Sequence, residues 1–329
     1  MKSQFSILCL LVNILLISCE QAPQYYEVSG RLHTPYHIKF EHTKPLDKEI
    51  DEQLKYFYHL FNAFDSTSVI SQVNQNRDIR VDTLFQKVFK KALEVSTETN
   101  GAYDVTCAPL INLWGFGFSR KDSVTPAHID SVRQFIGFQK VRLEGDRIVK
   151  DDPRLMMNFS SLADGTVCDM IAQMLEKKGV RNYLVEFGGE MRVKGVNPMG
   201  VDWRLGIAKP IDDADGMNQE WEQVVSFPRP LGMATSGNYR NFYIKDGRKY
   251  AHTIDPREGC PVQRDILSAT IVAPDAMTAD AYATSEEAKS LCAKVPGLEY
   301  FIICSDSIGD GYHPEYSEGF RQYLVTADK

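Results

Sequence analysis

Asp280 and Thr284 stand four residues apart in the run ADAYATS, among alanines at 279, 281 and 283. On a helix, residues i and i+4 share a face, so carboxylate and hydroxyl project side by side while the alanines keep the neighbouring surface thin. Two hard oxygen donors on a rigid element suit Mg²⁺ and a phosphate-bearing ligand. Alanine is also a strong helix former, and read alone the segment more readily describes a helix packed through an alanine face with one acidic residue.

A second candidate is ATSGNYRNFYIKDGRKYAHTIDPREGCPV, Ala234 to Val262. Thr235, Ser236 and Gly237 put two hydroxyls beside a flexible backbone, a common way to hold phosphate oxygens or a ring edge. The turn residues Asp255, Pro256 and Gly259 would fix the carbonyls and amides just after His252. A lone histidine at a strand end is more often structural, but one held against such a turn is a reasonable general base. A third stretch, GAYDVTCAPLINLWGFGF, brings Asp104 and Thr106 after a helix stop and Trp114, Phe116 and Phe118 between glycines. By itself it describes a core-lining loop.

The elements that must position these residues follow from periodicity. Tyr25 to His42 has the β-rich, partly alternating composition of a hairpin. Leu46, Ile50, Leu54, Tyr58 and Phe61 fall at helical spacing, and Leu84, Val88, Ala92 and Val95 form a second stripe after Asp82, stopped by Asn100-Gly101. A third helix is expected over Asp169 to Lys178, closed by Gly179. Strand-like runs follow: NYLVEF, EMRVKG, WRLGIA, NFYIKD, RKYAHTI and LSATIVA, with Asp246-Gly247 a two-residue hairpin signal. The last helix should begin near Asp275, before a strand at EYFIICS. Early helices and a hairpin-rich second half predict an α+β fold, a single compact domain with a largely antiparallel mixed sheet flanked by helices. No GxGxxG occurs, so a dinucleotide fold of that kind is unsupported.

The N-terminus, MKSQFSILCLLVNILLISCEQ, carries one Lys and an apolar run from Phe5 to Ile17 that is too short for a stop-transfer helix, and reads as a secretory signal. LISC, Leu16 to Cys19, is similar to a bacterial lipobox, in which the Cys becomes the lipidated first residue; residues 1–18 are then the signal and 19–329 the domain. Such a protein is held to the membrane only by acyl chains, on the periplasmic side of the cell envelope. The formal net charge is −7, and no cluster of Lys and Arg stands out, which argues against nucleic acid or an anionic membrane surface as partner. A small polar ligand or another protein fits better. Cys107, Cys168, Cys260, Cys292 and Cys304 are widely spaced, without a CxxC or a Cys/His grouping, which argues against structural zinc.

Together and in this order, DSTSVISQVN, GAYDVTCAPLINLWGFG, FSSLADGTVCDMIA, VEFGGEMRVKG, WRLGIAKP, ATSGNYRNF, HTIDPREGCPV and APDAMTADAYATS resemble the ApbE-like family of FAD:protein FMN transferases. The resemblance implies an exported lipoprotein that splits the FAD pyrophosphate, transfers FMN to a Thr or Ser hydroxyl of an exported acceptor protein and releases AMP. It implies Mg²⁺ ligands at Asp280, Thr284 and the Ala163 carbonyl, and His252 as base for the acceptor hydroxyl. FAD contacts are implied at Leu32, Ala102, Tyr103, Asp104, Ser160, Thr166, Ser236, Gly237 and Ile254, with Ser160 and Thr166 flanking an Ala163-Asp164-Gly165 turn. Two departures accompany the likeness. The family usually reads AKGY where this chain has Ala163-Asp164-Gly165-Thr166, and the apolar stretch after Thr284 is shorter, so that the last helix is expected to run on from Asp275 to Lys294. An FAD pyrophosphatase and a non-catalytic flavin-binding lipoprotein are the alternative readings.

Overall fold

In the first hairpin, Ile38 and Phe40 are fully buried and alternate with the half-buried His37, Lys39 and Glu41, the period-two signature of a strand with one face on a core. The structure, a computed structural model, describes residues 22–117, 124–211, 220–237, 242–245, 248–262, 265–283, 288–306 and 311–325. Strands β1 (Gln24–Arg31) and β2 (Pro35–His42) begin an eight-stranded sheet. It continues through β3 (Tyr183–Phe187), β4 (Glu190–Lys194), β5 (Leu231–Gly237), β6 (Ile266–Ala273), β7 (Glu299–Ser305) and β8 (Tyr312–Tyr316). Spatial order follows chain order, and every ladder is antiparallel. The expected α+β class holds, with a main sheet that is wholly antiparallel in its ladders.

The helices are α1 (Asp47–Phe61), α2 (Val69–Asn74), α3 (Thr83–Glu98), α4 (Ala108–Leu113), α5 (Pro126–Arg133), α6 (Ser160–Lys177), α7 (Ala276–Ala283) and α8 (Ala288–Cys292). The main core lies between one face of the sheet and α1, α3, α6 and α7, where Ile38, Phe40, Val185, Phe187 and Ile271 meet Ile50, Phe85, Phe89, Ile171 and Leu175. On the opposite face Val193, Met233, Val272 and Ile303 pack against a hairpin of Trp203–Ala208 and Trp221–Phe227. A satellite cluster joins Cys107, Leu110 and Leu113 to Ile136 and Ile254.

The α3 boundaries match expectation: Asp82 Oδ1 accepts the Phe85 amide at 2.9 Å, and Asn100 and Gly101 both take positive φ. Its buried stripe includes Phe85 and Phe89 where the sequence suggested Leu84, which is only partly buried. Two expectations fail. The third helix starts at Ser160, not Asp169, so Ala163-Asp164-Gly165 is helix and not a turn. The backbone at Thr235, Ser236 and Gly237 is not flexible either: they pair in register with Thr270, Ala269 and Ser268 of β6. The segment after Ala283 is described again only from Ala288, so the expected continuous helix to Lys294 falls partly outside the described residues. There α8 ends at Cys292.

Candidate active site at the crossing of α6 and α7

Helix α7 is only eight residues long and every one of them is buried. So short a helix is not stable alone and must be held by what surrounds it. Asp275 caps it from within, its Oδ1 accepting the Thr278 amide at 2.8 Å. Asp169 of α6 caps it from outside, accepting the amides of Ala276 at 3.0 Å and Met277 at 2.9 Å. Burial, and then the Asp275 charge, push the Asp169 carboxyl up to about 6, against those two amides and Arg192, whose Nε lies 3.7 Å away.

Glycine at 165 lets α6 and α7 approach. An added Cβ there would stand 2.3 Å from the Ala276 carbonyl oxygen and 2.8 Å from Asp280 Cβ, so no larger residue fits. The close approach lets the Gly165 amide donate to Asp280 Oδ2 at 3.0 Å. Asp280 is 5% exposed. Burial, and then the Asp164 charge, hold its carboxyl well above the ordinary carboxylate range, with the Gly165 amide opposing and Asp169 adding to the rise. Glu190 is raised in the same way, by burial and then by Asp280 and Asp164.

Asp164, Asp169, Glu190 and Asp280 therefore gather negative charge around one helix crossing, with Arg192 and His33 as nearby basic groups. A hard divalent cation fits this donor set, because a buried carboxylate whose ionisation is opposed by its neighbours gains most from such an ion. Ala163 lies on α6 two residues before Gly165, on the helix that meets Asp280. Thr284 and Cys19 lie outside the described residues.

His33 and Glu190 join the site without any local sequence signal. At the tip of the first hairpin, His33 Nε2 lies 3.1 Å from Asp164 Oδ1 while Nδ1 rests against the Tyr58 hydroxyl. Leu32, beside it, is 42% exposed, so an apolar side chain stands open next to the acidic cluster. Gly188, at φ +69°, makes room for Asp164: a Cβ there would come within 2.7 Å of Asp164 Oδ2. Tyr103 reaches the same region from the loop after α3, and its field includes Asp280 and Asp104. Among the described residues its buried hydroxyl makes no hydrogen bond of normal geometry, although Ser161 stands beside it.

Other sequence candidates are held more tightly. Asp104 accepts the Thr106 amide at 2.8 Å, the Thr106 hydroxyl at 2.7 Å and the Phe138 amide at 2.9 Å, so its carboxylate knits the loop together. The Thr166 hydroxyl donates to the Leu162 carbonyl at 2.6 Å inside α6. Ser160 is exposed in the first turn of α6, and the Ala102 amide donates to Thr99 O at 3.1 Å. Ser236 and Gly237 end β5 and are half-buried.

The His252 region is built on aromatic surface. The Trp114 Nε1 proton is donated to the Gly259 carbonyl at 2.7 Å, which ties the GAYD-to-GFGF segment to the turn after His252. Trp114 stacks on Tyr250 at 5.7 Å and Tyr250 on Tyr243 at 5.2 Å, while Phe116 meets His252 edge-on at 6.5 Å. Within the turn, Arg257 Nη2 donates to Asp255 Oδ2 at 2.8 Å, and its amide to Oδ1 at 2.8 Å. Burial raises the Asp255 carboxyl, but the Arg257 hydrogen bonds outweigh it and leave the group below its usual range. Ile254 is buried against Cys107 and Leu110, which places this turn against the helix that follows Asp104.

The sequence matches the ApbE family over residues 32–294. An FAD:protein FMN transferase of Vibrio cholerae serotype O1 is 34% identical over 328 residues, covering 94% of this chain and 96% of its own. One of Haemophilus influenzae is 30% identical, covering 98% of each. The solved flavin transferase ApbE from Vibrio cholerae superposes with a TM-score of 0.81 at 33% identity, covering 92% of this chain and all of that one. The apo flavinyl transferase ApbE of Pseudomonas stutzeri superposes at 0.78 with 25% identity, covering 91% and 96%. Matched by the family over residues 32–294 and at 30% identity or more to flavin transferases over nearly its whole length, the chain belongs to the ApbE family.

Proposed function

We propose that this protein transfers FMN from FAD to a Thr or Ser hydroxyl of an acceptor protein and releases AMP. The observation that carries the reading is the buried Asp280 carboxylate, held by the Gly165 amide at the α6–α7 crossing amid Asp164, Asp169 and Glu190. The reaction exchanges one phosphorus–oxygen bond for another. The acceptor oxygen bonds to the FMN phosphorus, the bond to the bridging pyrophosphate oxygen breaks, and that oxygen leaves on AMP. Mg²⁺, held by Asp280 with Thr284 and the Ala163 carbonyl, would supply charge neutralisation on the pyrophosphate.

The protein's own residues do the rest. His252 takes the proton from the acceptor hydroxyl, and the turn tied down by Trp114 and Asp255 keeps it in place. Leu32, Ala102, Tyr103, Asp104, Ser160, Thr166, Ser236, Gly237 and Ile254 line or support the FAD site. Tyr103 brings a buried phenol to it, with Ser161 at its side. The acceptor is an exported protein, and the chain works from the periplasmic side of the cell envelope on a lipid anchor at Cys19.

The test incubates the fragment from Glu20 onward with FAD and Mg²⁺, with and without candidate acceptor, following AMP and acceptor mass. AMP together with one FMN added to the acceptor supports the transferase. AMP with free FMN and an unlabelled acceptor would make the protein a pyrophosphatase, and FAD that stays bound and intact would make it a flavin carrier.

A further inference from the structure

At the far edge of the sheet, strand pairing brings together residues that the linear sequence keeps apart. Cys304 of β7 pairs with His313 of β8, and Ile302 pairs with Glu315. Paired residues, and residues two apart along a strand, share a face, so Cys304, His313 and Glu315 all project to the same side. One thiol sulfur, one imidazole nitrogen and one carboxylate oxygen lie within 4.8 Å of one another.

The second layer around this trio is built for coordination. Asp306 Oδ1 lies 2.7 Å from His313 Nδ1 and Glu315 Oε1 lies 3.4 Å from Nε2; with a proton on Nδ1 facing Asp306, Nε2 can offer its lone pair to a metal. A carboxylate on the outer nitrogen of a histidine is the common arrangement behind metal-ligating imidazole. A tetrahedron with bonds of about 2.1 Å to nitrogen and oxygen has edges of about 3.4 Å, the separation found here. Lys289 of α8 pairs with the other oxygen of Glu315, leaving Oε1 directed at the imidazole. Cys304 is only 8% exposed, so its sulfur would sit at the floor of the site with His313 and Glu315 at its mouth.

We propose that Cys304, His313 and Glu315 form a binding site for a late divalent transition metal, Zn²⁺ above all, clamping β8 onto β7. Thiolate, imidazole and carboxylate together suit zinc better than Mg²⁺ or Ca²⁺, and three protein ligands leave a fourth position for water. Binding displaces the thiol proton of Cys304 to solvent and involves no change in oxidation state. The site is separate from the α6–α7 crossing, whose oxygen donors suit harder ions, and it stands whether or not the proposed flavin transfer is correct.

The test uses the soluble chain saturated with Mg²⁺ and titrated with Co²⁺, then with competing Zn²⁺. A thiolate-to-cobalt charge-transfer band displaced by one equivalent of Zn²⁺ is expected in the wild type. It should vanish in Cys304→Ser, and Asp306→Asn should weaken zinc about 10–100-fold. Where Cys304→Ser fails to fold, His313→Ala decides, since that side chain is 51% exposed: at least about tenfold weaker zinc binding is expected. No thiolate band in folded wild type, or a band that persists in folded Cys304→Ser, or unchanged zinc affinity in His313→Ala, overturns the proposal.

Discussion

The Gly165 amide donates to Asp280 Oδ2 at 3.0 Å across two helices so close that a single methyl group cannot enter between them. Gly165→Ala sets two effects against each other. Alanine favours the helix by about 1 kcal/mol, but its Cβ must displace the Ala276 carbonyl from 2.3 Å. Overpacking of this kind typically costs about 1–3 kcal/mol, so the variant should melt lower and lose turnover as the helices part. A variant with wild-type melting and turnover would show that the crossing yields without consequence.

Asp280→Asn keeps the shape and an acceptor for Gly165 but removes the buried charge. Because burial and Asp164 hold the Asp280 carboxyl above its ordinary range, its ionisation works against the metal-free fold as pH rises. Without Mg²⁺ at pH 8 the variant should therefore melt at or above the wild type, while Mg²⁺-dependent AMP release falls at least ~100-fold. Unchanged turnover would remove Asp280 from the metal site.

Asp169 gives a signed pH dependence. Its carboxyl titrates near about 6 in the folded protein, against roughly 3.9 when unfolded. The folded state therefore holds the proton more tightly. The stability this contributes is complete below about pH 4 and disappears as pH rises through about 6, up to about 3 kcal/mol for a shift of two units. Thermal melts of wild type and Asp169→Asn between those limits should converge or cross, the wild type losing ground as pH rises. Parallel curves would mean that Asp169 is not shifted.

His252→Ala should slow FMN transfer by about 10²–10⁴, the usual worth of a general base, and leave FAD affinity within a few-fold of wild type. Single-turnover transfer and equilibrium FAD binding separate the two. Equal loss in both would make His252 a structural member of the aromatic surface around Phe116.

With lipidation at Cys19 as proposed, Cys19→Ser expressed from the full chain should lose the acyl mass that wild type carries, read by intact-mass measurement. Wild type without acyl mass, or acyl mass retained in the variant, would remove Cys19 as the attachment point.

Much of the helical layer was legible because its signals are local. Asp82 caps α3 and Asn100-Gly101 ends it, as read. The start of α6 was not legible: Asp164 and Gly165 weaken a helix locally, and only the packing of α7 explains why the helix runs through them. Thr235, Ser236 and Gly237 read by composition as two hydroxyls beside a flexible backbone, yet they lie in a strand paired with β6. His33 and Asp164 are 131 residues apart, and no spacing rule reaches so far. The engagement of the Asp104 and Thr166 side chains within the protein was not legible, because their partners, Thr106 and the Leu162 carbonyl, are chosen by the fold.

The complete burial of α7 has a consequence for the order in which the molecule can be built. A helix of eight residues whose first amides are held by Asp169 of α6 has no independent existence. The face carrying Asp280 therefore needs α6 in place before it can form. Any ligand at this crossing binds the finished molecule alone and draws the folding equilibrium toward it.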